Sequence, residues 1–290
     1  MKQISAKETP MFSIIVVALN PGEKWKKTIK SVLEQSFEDY EIVVKDGCSK
    51  DGWGEELKRL YGQDPRIRIF EQADKSIYDA MNQAIALSKG QYLCFLNCGD
   101  TFYDKEVLKD TAKRAEVCSD HSNTADTDNF RVPAQILYGD TFCEQTRAQV
   151  HSAPKITGFT CYRNIPCHQS CFYGRALFAE RQYDLSYRIR ADYEHFLWCY
   201  YKAHADMIYL NRTVAAYEGG GYSESPENEK RDRQEHRLIT RKYMSKGSLL
   251  GYHLVMALTL APLRRKMAQS STFSGMYHKA KECLYGRKGN

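Results

Sequence analysis

The chain predicts an α/β protein: a mostly parallel central sheet, doubly wound with flanking helices, continued by a helical C-terminal extension. Three observations carry this. Short β-branched runs at FSIIVVALN (from Phe12), YEIVVKD (from Tyr40) and YLCFLNCGD (from Tyr92) read as buried parallel strands, which are apolar throughout because both faces are covered. Segments with apolar residues at helical spacing separate them. Each run also stops in polar or helix-breaking residues, as strand ends facing a crevice do.

Residues 1–11 form a polar lead-in. The first strand ends at Asn20, Pro21 and Gly22, and a helix follows from Trp25 to Gln35, with Trp25, Ile29, Val32 and Leu33 on one face. The second strand, Tyr40 to Lys45, runs into Asp46 and Gly47. A helix around Glu55 to Tyr61, a strand around Ile67 to Phe70 and a helix from Ser76 to Ser88 lead to the strand at Tyr92. Beyond Asp100 the chain is first helical, then crosses a polar loop, HSNTADTDN. A strand around Ala134 to Tyr138 reaches Gly139 and Asp140, and a helix begins near Ala191. Gly219 to Tyr222 reads as a loop able to close over a ligand or as a plain linker, before a charged helix, Glu227 to Arg241. The expected organisation is residues 12–222 as one domain, in halves 12–100 and 101–222, and 223–290 as the extension.

With 290 residues, 42% of them hydrophobic and 27% charged, the chain is long enough for a substantial core and is not disordered. The formal net charge of +6 suits an anionic ligand or membrane surface. No basic stripe carries a nucleic-acid motif, so nucleic acid is not an expected partner. Ten cysteines scattered through a long chain without a secretory signal read as reduced thiols in a cytoplasmic protein. Cys161, Cys167 and Cys171, with His168 among them, lack the paired spacing of a zinc frame.

Three strand ends, Asn20, Asp46 and Asp100, converge on one sheet edge. Asp46 can accept hydrogen bonds from a base or ribose, or can belong to an Asp-Gly turn. Asp100 suits a divalent metal or a cationic ligand, or a helix cap. Asp74, Lys75 and Asp79 sit at a helix start, where backbone amides favour anions. His168 can hydrogen-bond a diphosphate or an acceptor, or be structural. Tyr183, Asp184 and Tyr187 can line an acceptor cleft or pack. Asp192 opens its helix as a cap or a base. Neither G-x-G-x-x-G nor G-x-x-x-x-G-K-[ST] occurs, which disfavours the usual dinucleotide and P-loop sites.

The series SIIVVALN, EIVVKDGCSKDG, DKSIYDAMNQAIALSKGQYLCFLNCGD, HQSCFYGRALF and YDLSYRIRADYEHFLW resembles family 2 glycosyltransferases with the GT-A fold, over roughly Phe12 to Gly221. The likeness is to bacterial enzymes of exopolysaccharide, colanic acid and O-antigen synthesis. It implies that Asn20 and Asp46 contact the base and ribose, that Asn97 hydrogen-bonds ribose, that the loop of Asp74, Lys75 and Asp79 lies by the donor, and that Asp100 holds Mg²⁺ or Mn²⁺. It makes 12–100 the nucleotide-sugar half and 101–222 the acceptor half, places Asp140 where donor and acceptor meet and makes Asp192 the catalytic base, with Glu194 in reserve. Two departures stand out: Asn97-Cys98-Gly99-Asp100 keeps one acid of a D-x-D-type motif, and Ala191 replaces the first acid of an E-D-x-D-like segment.

The implied function is an inverting, metal-dependent glycosyltransferase of hexosyltransferase type. It would act on a nucleotide-diphosphate sugar, a UDP-sugar first among them, and on a saccharide or lipid-linked saccharide. The alternatives are a sugar-phosphate nucleotidyltransferase, which would want a Gly-rich basic loop where Asn20-Pro21-Gly22-Glu23 stands, and a non-catalytic nucleotide-sugar-binding protein at a membrane. The apolar stretch Ser248 to Leu263, followed by Arg264, Arg265 and Lys266, is too short to span a bilayer. It fits an interfacial helix, peripheral on the inner face of the membrane, or equally a core or partner-binding helix.

Overall fold

The computed structural model describes residues 9–120, 134–219 and 227–259. The loop HSNTADTDN, the expected hinge beyond Gly219 with the boundary at 222, and the basic cluster after Leu263 lie outside the described residues. Two compact units form, Met1–Arg237 and Leu238–Asn290.

In the first unit, β1 (Phe12–Ala18), β2 (Tyr40–Asp46), β3 (Ile67–Glu71) and β4 (Tyr92–Phe95) run parallel in the order β3-β2-β1-β4. Crossovers are α1 (Lys24–Leu33), α2 (Trp53–Tyr61) and α3 (Ile77–Leu87). The apolar runs predicted this: β1 and β2 are buried along almost their whole length, as only a sheet covered on both faces allows. Trp25, Ile29 and Val32 of α1 pack with Phe12, Ile14 and Val16 of β1 in the main core.

The second half departs from a simple parallel continuation. After β5 (Thr101–Phe102) and α4 (Val107–Asp120), β6 (Gln135–Cys143) pairs with a short β7 (Ala148–Val150). There follow α5 (Gly158–Arg163), a 3-10 turn at His168–Ser170, β8 (Cys171–Gly174), α6 (Arg175–Glu180), α7 (Ala191–Tyr201) and β9 (Asp206–Tyr217). The sheet continues β4-β8-β6-β9-β5. There β8 is antiparallel to β4 and β6, while β9 is parallel to β6. Thus, among the described strands, β8 alone joins the later ones to β4. Neither the β8 nor the β9 segment carries a run comparable to FSIIVVALN, because β9 is covered less completely and β8, though buried, is only four residues long.

Past β9, α8 (Glu229–Tyr243) and α9 (Lys246–Leu258) complete the described chain. No described helix is long and apolar enough to cross a membrane. The eight described cysteines outside α4 are free thiols, and burial pushes those of Cys98 and Cys161 up to about 12.

Candidate active site

Parallel pairing sets β1, β2 and β4 in register, Ala18 opposite Asp46 and Ile15 opposite Phe95, so their carboxyl ends open on one edge. Asn20 and Asp46 meet there through Ser49. The Asn20 N–H donates to Ser49 Oγ at 2.7 Å, and Ser49 Oγ and N–H both donate to Asp46 Oδ1, at 2.6 and 3.1 Å. Asn20 Oδ1 accepts from the Lys50 N–H, and Gly22 N–H donates to Asp51. Asn20 has φ +49°, a conformation that Asn tolerates better than most residues. The two strand-end loops are thereby clamped together as one rim.

Asp74 closes the floor of this rim. Lys45 is completely buried, and its Nζ donates to Asp74 Oδ2 at 3.0 Å and to the Asp46 and Gln72 carbonyls. A Cβ on Gly47 would sit 2.8 Å from Asp74 Oδ2, so only glycine lets the loop approach the carboxylate. Asp79 works locally, since its N–H donates to Ser76 Oγ while its Oδ2 accepts the Lys75 N–H, a reciprocal cap for α3. Lys75 is exposed beside it.

The loop from Asn97 to Asp100 is held by Thr28 of α1, whose hydroxyl accepts from Gly99 N–H and donates to the Asp100 carbonyl. Asp100 is 6% exposed. Its Oδ2 accepts from Gln169 Nε2 at 3.0 Å and its Oδ1 from the Glu218 N–H at 3.2 Å. Burial raises its pKa, against the hydrogen bond from Gln169. Gly99 adopts φ +102°, and a Cβ there would meet Glu218 Oε2 at 2.7 Å. Glu218 in turn pairs with Lys24 at 2.7 Å. Each Asp100 oxygen keeps a lone pair, and a nearby cation would relieve the cost of burying its charge. Among the described residues no group of three acids, histidines or cysteines is placed to cage a metal. The donor set therefore fits an ion bound by one carboxylate together with substrate phosphates and water, as Mg²⁺ commonly is.

His168 bridges toward the second half. Its Nε2 lies 3.3 Å from Asn97 Nδ2 and its Nδ1 3.3 Å from Asp192 Oδ2. Asp192 Oδ1 accepts from the Tyr78 hydroxyl at 2.8 Å. Burial opposes the charge on Asp192, yet the hydrogen bond and charge of His168, joined by Tyr78, outweigh it and hold the carboxyl below its ordinary range. The Asp192 side chain keeps 22% exposure, so solvent reaches it.

The remaining candidates lie elsewhere. Glu194, expected as the reserve base, is completely buried on the same helix, with both oxygens on Arg181 Nη2 at 2.8 and 2.9 Å. Tyr183, expected on a cleft wall, is 3% exposed in an aromatic cluster with Tyr78, Phe95 and Phe178, and Asn82 grips its backbone on both sides. Tyr187 is half-buried, closing a turn onto Asp184. Asp140 is 4% exposed and saturated: His151, the Ser152 N–H, Tyr209 and Gln149 all reach its oxygens. Such positions are interior because distant partners close over them only in the fold; Asn82 reaches Tyr183 across 101 residues. Sequence reasoning left Ser49, Tyr78, Gln169 and Glu218 without roles. Gln169 stood within the HQS triplet and was legible there; Glu218 reaches Asp100 across 118 residues and left no local signal.

Comparison with known proteins bears on the fold and the family. A family model for "Glycosyl transferase family 2" matches residues 13–132. A "PGL/p-HBAD biosynthesis glycosyltransferase" of Mycobacterium tuberculosis is 31% identical over 218 residues, covering 74% of this chain and 79% of the relative. Among solved structures, residues 1–349 of S. aureus TarS with UDP-GlcNAc superpose with TM-score 0.58 at 19% identity, over 79% of this chain and 65% of that one. The mannosyltransferase PcManGT of Pyrobaculum calidifontis, in complex with GDP-Man and Mn²⁺, gives TM-score 0.55 at 13% identity, over 99% and 91%. This chain spans about two thirds of the TarS chain it matches, and the structural likenesses speak for the GT-A fold alone. The sequence match to the mycobacterial relative, with the family model over the strand-end acids, shows that this chain is a glycosyltransferase belonging to family 2.

Proposed function

We propose that the chain is an inverting, divalent-metal-dependent glycosyltransferase that moves a sugar from a nucleotide-diphosphate sugar, a UDP-sugar first, to a saccharide or lipid-linked saccharide of the cell surface. The observation that carries this is the continuous line from the strand-end rim to Asp192: Asn97, His168 and Asp192 lie in hydrogen-bond sequence, beside the buried Asp100. In this reading Asn20, Asp46 and Ser49 hold the base and ribose, and Asp74 with Lys45 stiffens the rim beneath them. Asp192 accepts the proton of the acceptor hydroxyl as its oxygen bonds to the anomeric carbon. The carbon–oxygen bond to the diphosphate breaks as the new bond forms, with the electron pair leaving on the diphosphate. One base on the side opposite the leaving group gives inversion. Asp100 would hold Mg²⁺ or Mn²⁺, which when bound neutralises charge developing on the diphosphate. The relatives support the substrate class: one is named for PGL/p-HBAD biosynthesis, and neighbouring structures hold UDP-GlcNAc and GDP-Man with Mn²⁺.

Peripheral attachment to the inner membrane face fits the second unit. Leu250, Leu254, Val255 and Leu258 of α9 are 41% to 74% exposed. Residues 260–290 then carry Arg264, Arg265, Lys266, Lys279, Lys281, Arg287 and Lys288 against Glu282 alone, which equals the net +6 of the whole chain. An exposed apolar helix followed by concentrated positive charge suits anionic lipid.

A panel of nucleotide sugars in thermal-shift assays, with and without Mn²⁺, tests the reading. A donor should raise Tm by mass action only when Mn²⁺ is present, and Asp100→Asn should abolish that metal-dependent rise. Because burial disfavours the Asp100 charge, the same variant without metal should melt at or above the wild-type temperature. A metal-dependent rise that survives Asp100→Asn would remove Asp100 from the metal site.

A further inference from the structure

Tyr78 is a buried residue that the proposed chemistry leaves unused, and its hydroxyl meets two acceptors. Its hydroxyl oxygen lies 2.6 Å from the Ile189 carbonyl and 2.8 Å from Asp192 Oδ1. A phenol carries one proton, so it can serve only one of these two acceptors at a time. The ring is 6% exposed and packs against Tyr183 at 5.4 Å, so the hydroxyl can turn about its C–O bond while the ring stays in place.

We propose that the Tyr78 hydroxyl is a two-position donor that follows the protonation state of Asp192: it donates to Oδ1 while the carboxylate is ionised and turns to the Ile189 carbonyl once Asp192 has taken the acceptor's proton. This rests on the reading of Asp192 as base. An ionised carboxylate is the stronger acceptor, since charge-assisted hydrogen bonds are roughly twice as strong as neutral ones. Once the proton settles on Oδ2, the oxygen facing His168, Oδ1 becomes a weak carbonyl-type acceptor, and the Ile189 oxygen, the nearer of the two, takes over. No covalent bond of Tyr78 changes: the acceptor's O–H bond breaks, an Oδ2–H bond forms, and Tyr78 keeps its own proton. The second acceptor matters because a buried hydroxyl without a partner would oppose each turnover. Tyr78 is thus a positioning residue, making Asp192 a stable anion before transfer without penalising its protonation afterwards.

The groups facing Asp192 leave this role to Tyr78. His168 holds the other oxygen, and the Tyr193 backbone N–H supports the carboxylate. Tyr183, Tyr173 and Cys171 are near enough to respond to its charge, but burial keeps all three protonated, their pKa values pushed well above the ordinary. Tyr78 is raised in the same way, first by burial and then by the Asp192 charge, so it acts as a donor and does not ionise.

The test titrates Asp192 in the full chain labelled with 13Cγ-aspartate, its resonance assigned by loss in Asp192→Asn. Tyr78→Phe keeps the ring and removes the hydroxyl; its melting temperature and one-dimensional spectrum verify folding. Its Asp192 midpoint should rise by about one pH unit, on the order of tenfold in ionisation constant, the size of one hydrogen bond to a buried charge. Replacing Tyr78 with 3-fluorotyrosine, a stronger donor of nearly equal size, should lower the midpoint. Opposite shifts in the two variants are what a merely structural role would not produce. An unmoved midpoint, or shifts in the same direction, overturns the proposal. Loss of transfer in Asp192→Asn is a separate measurement, so a failed tyrosine inference and a failed base assignment remain distinguishable.

Discussion

Asp192 and Glu194 lie two positions apart on α7 and meet opposite environments. Asp192 faces His168 and keeps partial exposure; Glu194, rotated about 200° around the helix, is completely buried on Arg181. Their substitutions should separate accordingly. Asp192→Asn should abolish transfer, by about a hundredfold or more for a general base, and should also lower Tm, because the fold stabilises the ionised carboxylate. Glu194→Gln should leave Arg181 without its charge partner, lowering stability by about 3 kcal/mol and lowering activity only as far as unfolding does. Urea melts beside transfer assays read both effects, and the reverse pattern would exchange the roles of the two acids. Either carboxylate is a plausible base from local sequence, since both stand in the first turn. Which side of α7 meets the sheet decides between them, and that depends on β8 and α6 packing beneath it.

Helices and strands of the first half were legible because each satisfies a local rule. The runs at Phe12 and Tyr40 can only be strands buried on both faces, and Trp25, Ile29 and Val32 can only meet a core on one side of a helix. α9 is different: it has exposed leucines, no buried side chain and a serine cap at Ser245, so sequence alone could not choose between core and interface. With its apolar residues exposed, Leu250→Glu with Leu254→Glu should leave Tm nearly at the wild-type value. The same pair should weaken co-flotation of the full chain with vesicles containing anionic lipid, and raised salt should weaken wild-type binding as well. A large loss of Tm would show that these leucines belong to a core. Unchanged flotation would remove α9 from the membrane contact.

At the scale of the molecule, a buried histidine of α7, His195, contributes to the response to acid. His195 stacks face to face on Phe178 at 4.2 Å, and burial lowers its pKa to about 4. Unfolded, it titrates near the ordinary 6.5. Below that value the unfolded chain takes up a proton that the folded chain refuses until about 4, so stability contributed by the neutral imidazole is present above pH 6.5 and is lost between 6.5 and 4. Urea midpoints at pH 7.0, 5.5 and 4.5 should fall in that order, and His195→Gln should flatten the slope across this window. A slope unchanged by that substitution would assign the acid sensitivity to other groups.

From the sequence alone came the alternation of strands and helices, the convergence of Asn20, Asp46 and Asp100 on one edge, and the family, because each depends on residues near one another in the chain or on motifs in order. Only the tertiary structure decided what surrounds those residues. Asp100 receives Glu218 from the end of β9, His168 links Asn97 to Asp192, and Tyr78 reaches Asp192 across 114 residues. Tyr183, Asp140 and Glu194 are buried among distant partners for the same reason: burial and long-range hydrogen bonds are set by packing of distant segments, which local spacing does not encode.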